Sequence, residues 1–411
     1  MTKEFAVDNA SILFLALMRK QYTNVFRFSM TLKEAVCPEM LQTAVDRVYR
    51  RFPTIIAGFR PGFFHYTQFP AKQPPQVQPD PGCLQTMPLS DIHSCAYRVL
   101  YSGNTVSVEL FHALTDGYGA IASFTTLVAE YLRIRYGIHI PVEKTLRNIG
   151  DEPEHGELSD AYLDHQEGKP LLVPSRYAYQ LPSDGSSTTE VSTTAHVYPT
   201  RDILDAAHKY GVSATTLIST IMASSIMEIQ QSHQSLENAK PVRIMVPVDL
   251  RRIFSSHTLR NFVLYALPTM EPKDRDMPVE SLMQKFHHQI RSQMDKKRLA
   301  SIMAYNVRTQ VNMFFRFIPR ILKFAVLRIG YRFFGESNSS VTVTNLGHLK
   351  LPKEMENLVE NVEVVMTPRV SSPYGCSVIS YADRMCINIS TFCQESELDA
   401  VFARNMHKVL A

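Results

Sequence analysis

The sequence predicts an α/β chain folded as two similar lobes. Three observations carry this. The chain is 411 residues long, more than one hydrophobic core ordinarily serves, so two domains are expected. Stretches with strand character alternate with stretches that repeat apolar residues at helical spacing. Each half also runs through the same order of strand, helix and later strands. The expected division puts residues 1–170 in the first lobe and residues 171–411 in the second, with a polar crossover over about 136–194.

The elements follow in order. Residues 25–31 read as a short strand, Val-Phe-Arg-Phe-Ser-Met-Thr. Met40, Leu41, Ala44, Val45 and Val48 then recur at helical spacing. Residues 70–88 are rich in proline and read as loop. Residues 97–101 and 105–110 form a hairpin, turned by Ser102-Gly103-Asn104. Beyond it, Ala120, Ile121, Phe124, Leu127, Val128, Tyr131 and Leu132 mark a buried helix. In the second half, residues 194–198 are a strand and residues 201–210 a helix stopped by Gly211. Ser213 caps the next helix, whose apolar positions are Leu217, Ile218, Ile221, Met222 and Ile226. Residues 242–248 make a buried strand and residues 341–344 and 377–381 two more, the last paired with residues 385–390.

Composition narrows the function classes. Hydrophobic content is 45% and charged content 20%, as in a soluble globular protein. No stretch reaches the roughly 18 uninterrupted apolar residues of a spanning helix. The apolar run at residues 12–18 is too short to span, follows Asp8 rather than a basic segment, and precedes no small-residue cleavage site, so no signal peptide is expected. Cys37, Cys83, Cys95, Cys376, Cys386 and Cys393 include no Cys-x-x-Cys pair. They read as reduced, mostly buried thiols of a cytoplasmic protein. A net charge of +4 suits an anionic small molecule better than nucleic acid. No bound metal or cofactor is expected, and no nucleic-acid partner. Gly-x-Ser-x-Gly, Gly-x-x-x-x-Gly-Lys and His-Glu-x-x-His are all missing from the sequence, which leaves hydrolase, nucleotide-loop and zincin chemistry without their signatures.

One motif carries chemistry: His112-Ala-Leu-Thr-Asp116-Gly117. Composition alone would yield His-x-x-x-Asp-Gly in roughly 4% of chains this long, so its position matters. It falls where a strand ends and a buried helix begins. A histidine there can project into a cleft, and its charge change lies near neutral pH. Asp116 can hold the turn, and Gly117 permits a close backbone approach. The plain alternative is a turn histidine with a capping aspartate.

The segment Phe111-His112-Ala-Leu-Thr-Asp116-Gly117-Tyr-Gly119 resembles the acyltransferase superfamily of chloramphenicol acetyltransferase, the plant BAHD enzymes, polyketide-associated acyltransferases and peptide-synthetase condensation domains. It looks most like the microbial alcohol acetyltransferases. Further segments match in order: residues 32–53, ending in Arg51-Phe52-Pro53; Val246-Pro-Val-Asp249-Leu-Arg251-Arg252 with Leu259-Arg260-Asn261-Phe262; and Thr344-Asn345-Leu346-Gly347 with Leu351-Pro352. The resemblance implies an α/β (α+β) fold of two chloramphenicol-acetyltransferase-like lobes. Each would be a mixed sheet flanked by helices, with a tunnel between the lobes. It further implies His112 as general base at the middle of the tunnel, with an acyl-CoA (or acyl-pantetheine on a carrier protein) and an alcohol or amine acceptor entering from opposite faces. Asp116 would be structural, paired with Arg251 or alternatively Arg27. Asn261, Thr344 and Asn345 are candidates for stabilising the oxyanion or lining the tunnel. Many members carry two adjacent histidines, and here Phe111 holds the first position. The chain has no tryptophan, so the BAHD motif Asp-Phe-Gly-Trp-Gly is absent. A non-catalytic, condensation-like binding protein is the rival reading. A monomer is expected.

Residues 313–334 have an unusual composition. They hold Arg316, Arg320, Lys323, Arg328 and Arg332 and no acidic residue. At helical spacing the cations fall on one broad side, and Phe314, Ile318, Ile321, Leu322, Ala325 and Ile329 lie largely on the other. Pro319 would begin or kink such a helix. Either the helix packs its apolar side on the second lobe and exposes ordinary cations, or it makes a peripheral contact with anionic lipid.

Overall fold

The computed structural model describes residues 4–19, 22–143, 145–183, 190–234, 238–312, 317–369, 372–394 and 396–411. In chain order the strands are β1 Phe5–Ala6, β2 Val25–Leu32, β3 Ala57–Pro61, β4 Tyr66–Pro70, β5 Val77–Pro79, β6 Tyr97–Ser102, β7 Thr105–Phe111, β8 Ser192–Pro199, β9 Val242–Asp249, β10 Val263–Ala266, β11 Thr269–Met270, β12 Val341–Leu349, β13 Val359–Met366, β14 Tyr374–Tyr381 and β15 Arg384–Thr391. The longer helices are α1 Asn9–Leu17, α2 Pro38–Val48, α3 Gly117–Tyr136, α4 Thr200–Lys209, α5 Ala214–His233, α6 Val279–Gln293, α7 Lys296–Val311, α8 Arg320–Phe334 and α9 Glu397–Leu410.

Two mixed sheets organise two lobes. The first has the order β13-β2-β7-β6-β5, and the second β10-β9-β12-β14-β15-β8, with β11 paired to β9. Strands β5 and β6 run parallel, as does β12 with both β9 and β14; the other pairings within the two sheets are antiparallel. Helices α2 and α3 pack together by the first sheet, and α5, α6 and α9 cover the second. A small sheet, β1-β4-β3, stands beside the first lobe.

Local chemistry explains most of these elements. The β6–β7 hairpin turns at Gly103, whose φ is +54°, a value that L side chains rarely adopt. Helix α3 starts at Asp116, which accepts from the Tyr118 amide, and stops at Gly137 in the left-handed region. Ser213 accepts from Thr216 N to open α5. Residues 70–88, read as loop, contain the short strand β5, which lies parallel to β6 at the sheet edge, where prolines are tolerated.

Strand β13 belongs to the second half of the chain but forms the edge of the first sheet, antiparallel to β2. Side chains of the second sheet reach it: Ser377 Oγ and Asn388 Nδ2 donate to Val364 O at 2.7 and 2.9 Å, and Ser390 Oγ donates to Met366 O at 2.7 Å. The two sheets are thereby stitched along one strand.

The basic segment departs from the expected packing on the second lobe. Residues 313–316, including Phe314 and Arg316, lie outside the described residues. Pro319 begins α8 rather than kinking it. The helix packs on α1 of the first lobe, not on the second. Its cations Arg320, Lys323 and Arg328 reach backbone carbonyls of the first lobe, while Ile321, Leu322 and Ile329 face outward. The cations find charge-assisted hydrogen bonds at the last turn of α1 and in the 62–64 loop, and these contacts turn the cationic side of α8 towards the protein.

Candidate active site

Strand β7 is buried along nearly all its length and delivers the chain to a tight turn. Phe111 is fully buried and meets the Phe59 ring edge-on at 5.9 Å. A side chain at this position therefore faces the core, and a histidine there would not reach a cleft. The next residue points the other way, as strand alternation requires. His112 N donates to Asn24 O at 2.8 Å, and the turn closes with Leu114 N on Phe111 O at 2.9 Å.

The turn is held from the second half of the chain. Arg251 Nη2 donates to both Asp116 carboxylate oxygens, at 3.0 and 2.9 Å, and both side chains are only 4% exposed. Phe262 N donates to Asp116 Oδ2 at 2.8 Å, and Tyr118 N to Oδ1 at 3.1 Å. Arg251 is fixed in turn by Asp249, by the carbonyls of Thr258 and Arg260, and by the Tyr118 ring 4.6 Å below it. Burial pulls the Arg251 guanidinium down, but the Asp116 and Asp249 carboxylates outweigh burial and leave it raised. Arg27, the alternative partner, is committed to Glu109 and Asp80.

The glycines have a steric reason. A Cβ on Gly117 would run into the Leu346 side chain, and one on Gly119 into the Leu259 carbonyl and Thr115 Oγ1. Thr115 Oγ1 donates to Leu259 O at 2.5 Å. The turn after β7 is thus the surface on which segments 259–262 and 344–347 close.

The His112 ring stacks on Phe14 at 4.4 Å and touches Phe26 at 4.8 Å. Nδ1 is enclosed without a well-formed partner. Nε2 makes no hydrogen bond among the described residues. Burial pushes the imidazole below its usual 6.5; its own carbonyl, Asp116, Asn261 and Asp8 pull back without cancelling this. At neutral pH the ring is therefore uncharged, and a nitrogen lone pair is available to accept a proton.

The other predicted residues fall as follows. Asn261 is fully buried, and its Nδ2 donates to His112 O at 3.2 Å and towards Ser11 Oγ at 3.5 Å. Its amide thus links α1 to the backbone of the turn that carries His112. Asn345 Nδ2 donates to Thr215 Oγ1 at 3.0 Å, and its Oδ1 accepts from Gly347 N at 2.8 Å. Thr344 is half-buried, and its hydroxyl makes no hydrogen bond among the described residues. Two small cavities are lined by residues such as Met227 and Pro272, and Leu264 and Gln293; neither reaches His112. The ring packs against Phe14 and Phe26, and His112 keeps partial exposure.

Sequence reasoning overlooked α1. Asp8 caps it, accepting from Ser11 N at 2.8 Å, and the Ser11 hydroxyl, with one proton to give, lies 2.7 Å from Asp8 Oδ1 and 2.6 Å from Ala113 O. Asp-x-x-Ser before an apolar run was a capping signal in plain view.

No family model matches the sequence, and no curated protein is significantly similar to it. Solved structures share the fold. TRI101 of F. sporotrichioides, complexed with coenzyme A and T-2, is 10% identical with a TM-score of 0.63, over 100% of this chain and 97% of that one. The starter condensation domain of rhizomide synthetase, in complex with C8-CoA and Leu-SNAC, is 14% identical with a TM-score of 0.59, over 99% and 94%. The wax ester synthase/diacylglycerol acyltransferase of Marinobacter aquaeolei is 12% identical with a TM-score of 0.56, over 98% of both chains. The chain has the two-lobed fold of condensation domains and acyltransferases.

Proposed function

We propose that this protein is an acyltransferase that moves an acyl group from acyl-CoA to an alcohol, with His112 as general base. The observation that carries the reading is a half-buried, uncharged imidazole with an unengaged Nε2, on a turn clamped across the lobes by Asp116 and Arg251. Neighbours of the same fold solved with coenzyme A or C8-CoA support a thioester donor.

Nε2 takes the hydroxyl proton as the alcohol oxygen attacks the thioester carbonyl. The tetrahedral intermediate carries an oxyanion that needs a fixed donor. Thr344, with its uncommitted hydroxyl, is the first candidate, and Asn345, whose amide keeps one spare hydrogen, the second. The C–S bond then breaks. A thiol has a pKa of about 8.5, so the thiolate leaves readily and takes its proton from the imidazolium. Asp116 and Gly117 do not touch the reacting atoms: the first fixes the turn and the second lets Leu346 close on it.

Purified protein mixed with acetyl-CoA and a panel of alcohols should release free thiol in step with ester. His112→Ala should lower the rate by about 10²–10⁴-fold while the protein stays folded. A variant that kept more than half of the wild-type rate would refute the mechanism. An amine panel distinguishes N-acylation. Acetyl-pantetheine on a carrier protein presents the same thioester, so running both donors separates the two sources. No thiol release from either, with the fold intact, would point to a binding protein.

A further inference from the structure

Helix α8 wears its amphipathic character inside out. Arg320 Nε donates to Gly62 O at 3.0 Å, Lys323 Nζ to Phe64 O at 3.0 Å, and Arg328 to Ala16 O and Met18 O at 2.5 and 3.1 Å. Phe324 is buried against Tyr66, with the rings stacked at 5.8 Å. These contacts fix which side faces the protein. On the other side, Phe63, Phe317, Ile321, Leu322, Val326 and Ile329 are each between 59% and 75% exposed. Scattered exposed apolar residues are ordinary, but a contiguous row of six is not.

We propose that this row docks on the surface of an anionic phospholipid bilayer, with α8 lying in the plane of the membrane. Charge selects the partner. Residues 313–334 carry five cations and no acidic residue, and Gly62-Phe63-Phe64-His65 adds no acid. Hydrogen bonds to carbonyls leave the charges of Arg320, Lys323 and Arg328 in place, so the apolar row sits on a positively charged base. Such a layering suits acyl chains outside and anionic headgroups at the depth of the cations. Shape agrees: the side chains project from a convex helix face, which a fluid surface accommodates without a matching groove. Length agrees too. Fifteen residues span roughly 22 Å at 1.5 Å per residue, short of the ~30 Å hydrocarbon core, so the helix lies on the bilayer and does not cross it. The surface is also one helix away from His112, because α8 packs on α1 and Phe14 of α1 stacks on the ring. If the proposed acyl transfer holds, a membrane-dissolved acceptor would approach from this side.

The test is cosedimentation of the full chain with vesicles of equal parts phosphatidylcholine and phosphatidylglycerol, and with pure phosphatidylcholine. The protein should bind the mixed vesicles and bind the neutral ones more weakly. Salt should weaken the binding but not abolish it, since only the charge component is screened, within about 10 Å at 0.1 M. The triple variant Ile321→Ser, Val326→Ser, Ile329→Ser should lose more than about tenfold in vesicle affinity. Phe63→Ser, on a different element, should lose part of it. These residues are exposed, so melting profiles should match wild type. Absence of wild-type binding at low salt would overturn the proposal, as would a triple variant that binds normally. Wild-type self-association without vesicle binding, abolished by the same triple variant, would also overturn it by making the row an interface between copies of this chain. None of these readouts depends on catalysis.

Discussion

At the scale of single residues, the site turns on keeping His112 uncharged and pointed. Burial lowers its pKa below the ordinary 6.5, so the base form is already full at neutral pH. The acid limb of kcat/KM should therefore have its midpoint below 6.5, and activity should stay level from there to the pH at which other groups titrate. A midpoint above 6.5, measured with a substrate that does not ionise, would contradict the burial argument. The same shift has a stability consequence. Below 6.5 the unfolded chain takes up a proton that the folded ring resists, so stability falls as pH drops towards the folded pKa. Asp116 and Arg251 hold the ring's turn and should behave as one unit. Removing Arg251 leaves Asp116 as an uncompensated buried charge, at roughly 3–5 kcal/mol, and removing Asp116 leaves the buried Arg251 with only the more exposed Asp249. Arg251→Ala and Asp116→Ala should each destabilise by this order, and the double variant by far less than their sum. Additive losses in chemical denaturation would mean the two charges do not depend on each other. The pairing was accessible from sequence only through family resemblance, since the two residues are 135 positions apart.

At the scale of elements, the hairpin, the capped helix α3 and the strand pairs of the second sheet were legible because each is specified by neighbours in sequence. Gly103, Asp116, Gly137 and Ser213 act within a few residues of themselves. Helix α8 was legible as a helix but not in its orientation. Periodicity says which residues share a face, yet the face turned to the protein was decided by carbonyls at Ala16, Met18, Gly62 and Phe64. The glycines of the turn give a test at this scale. Gly119 sits where α3 enters, and an added Cβ meets the Leu259 carbonyl, which a backbone atom cannot yield cheaply. Gly119→Ala should cost about 1–3 kcal/mol or more by overpacking and should lower turnover as well, because the 259–262 segment carries Asn261. At Gly117 the obstacle is the flexible end of Leu346, so Gly117→Ala with Leu346→Ala should recover more stability than the corresponding rescue at Gly119. Equal rescue at both positions would show that the turn is not gripped by backbone at Gly119.

At the scale of the whole molecule, the halves are joined by strand β13 and by a buried charge cluster, and sequence patterns foretold neither. β13 is assigned to its sheet by long-range pairing with β2, which no local pattern encodes. The cluster gathers Asp8 from before α1, Asp160 from the crossover and Arg260 from the second half. Arg260 Nε stands 3.7 Å from Asp8 Oδ2, and both atoms lack a hydrogen bond. Burial pushes Asp8 up against the pull of Arg260. Burial, reinforced by Asp8, also pushes Asp160 up to about 7 despite Arg260. Two carboxylates thus share one guanidinium, and near neutrality the cluster holds a proton that the unfolded chain would release. Because the folded pKa of Asp160 is raised, the folded state loses ground as pH climbs from about 4 to about 7, and the deficit then stays constant. Asp160→Asn removes the ionisable group while keeping an acceptor for the Tyr162 amide that Asp160 now caps. The variant should therefore gain stability over wild type at pH 8, on the order of 2 kcal/mol once the shift is discounted for residual exposure and coupling to Asp8. At pH 4 the gain should vanish. The comparison is a pair of urea titrations at each pH, reading the midpoint difference at constant slope. A gain that is the same at both pH values would trace to packing or capping instead. A loss at pH 8 would mean the ionised carboxylate of Asp160 is an asset to Arg260 and that the lobes are held by an ion pair across the crossover.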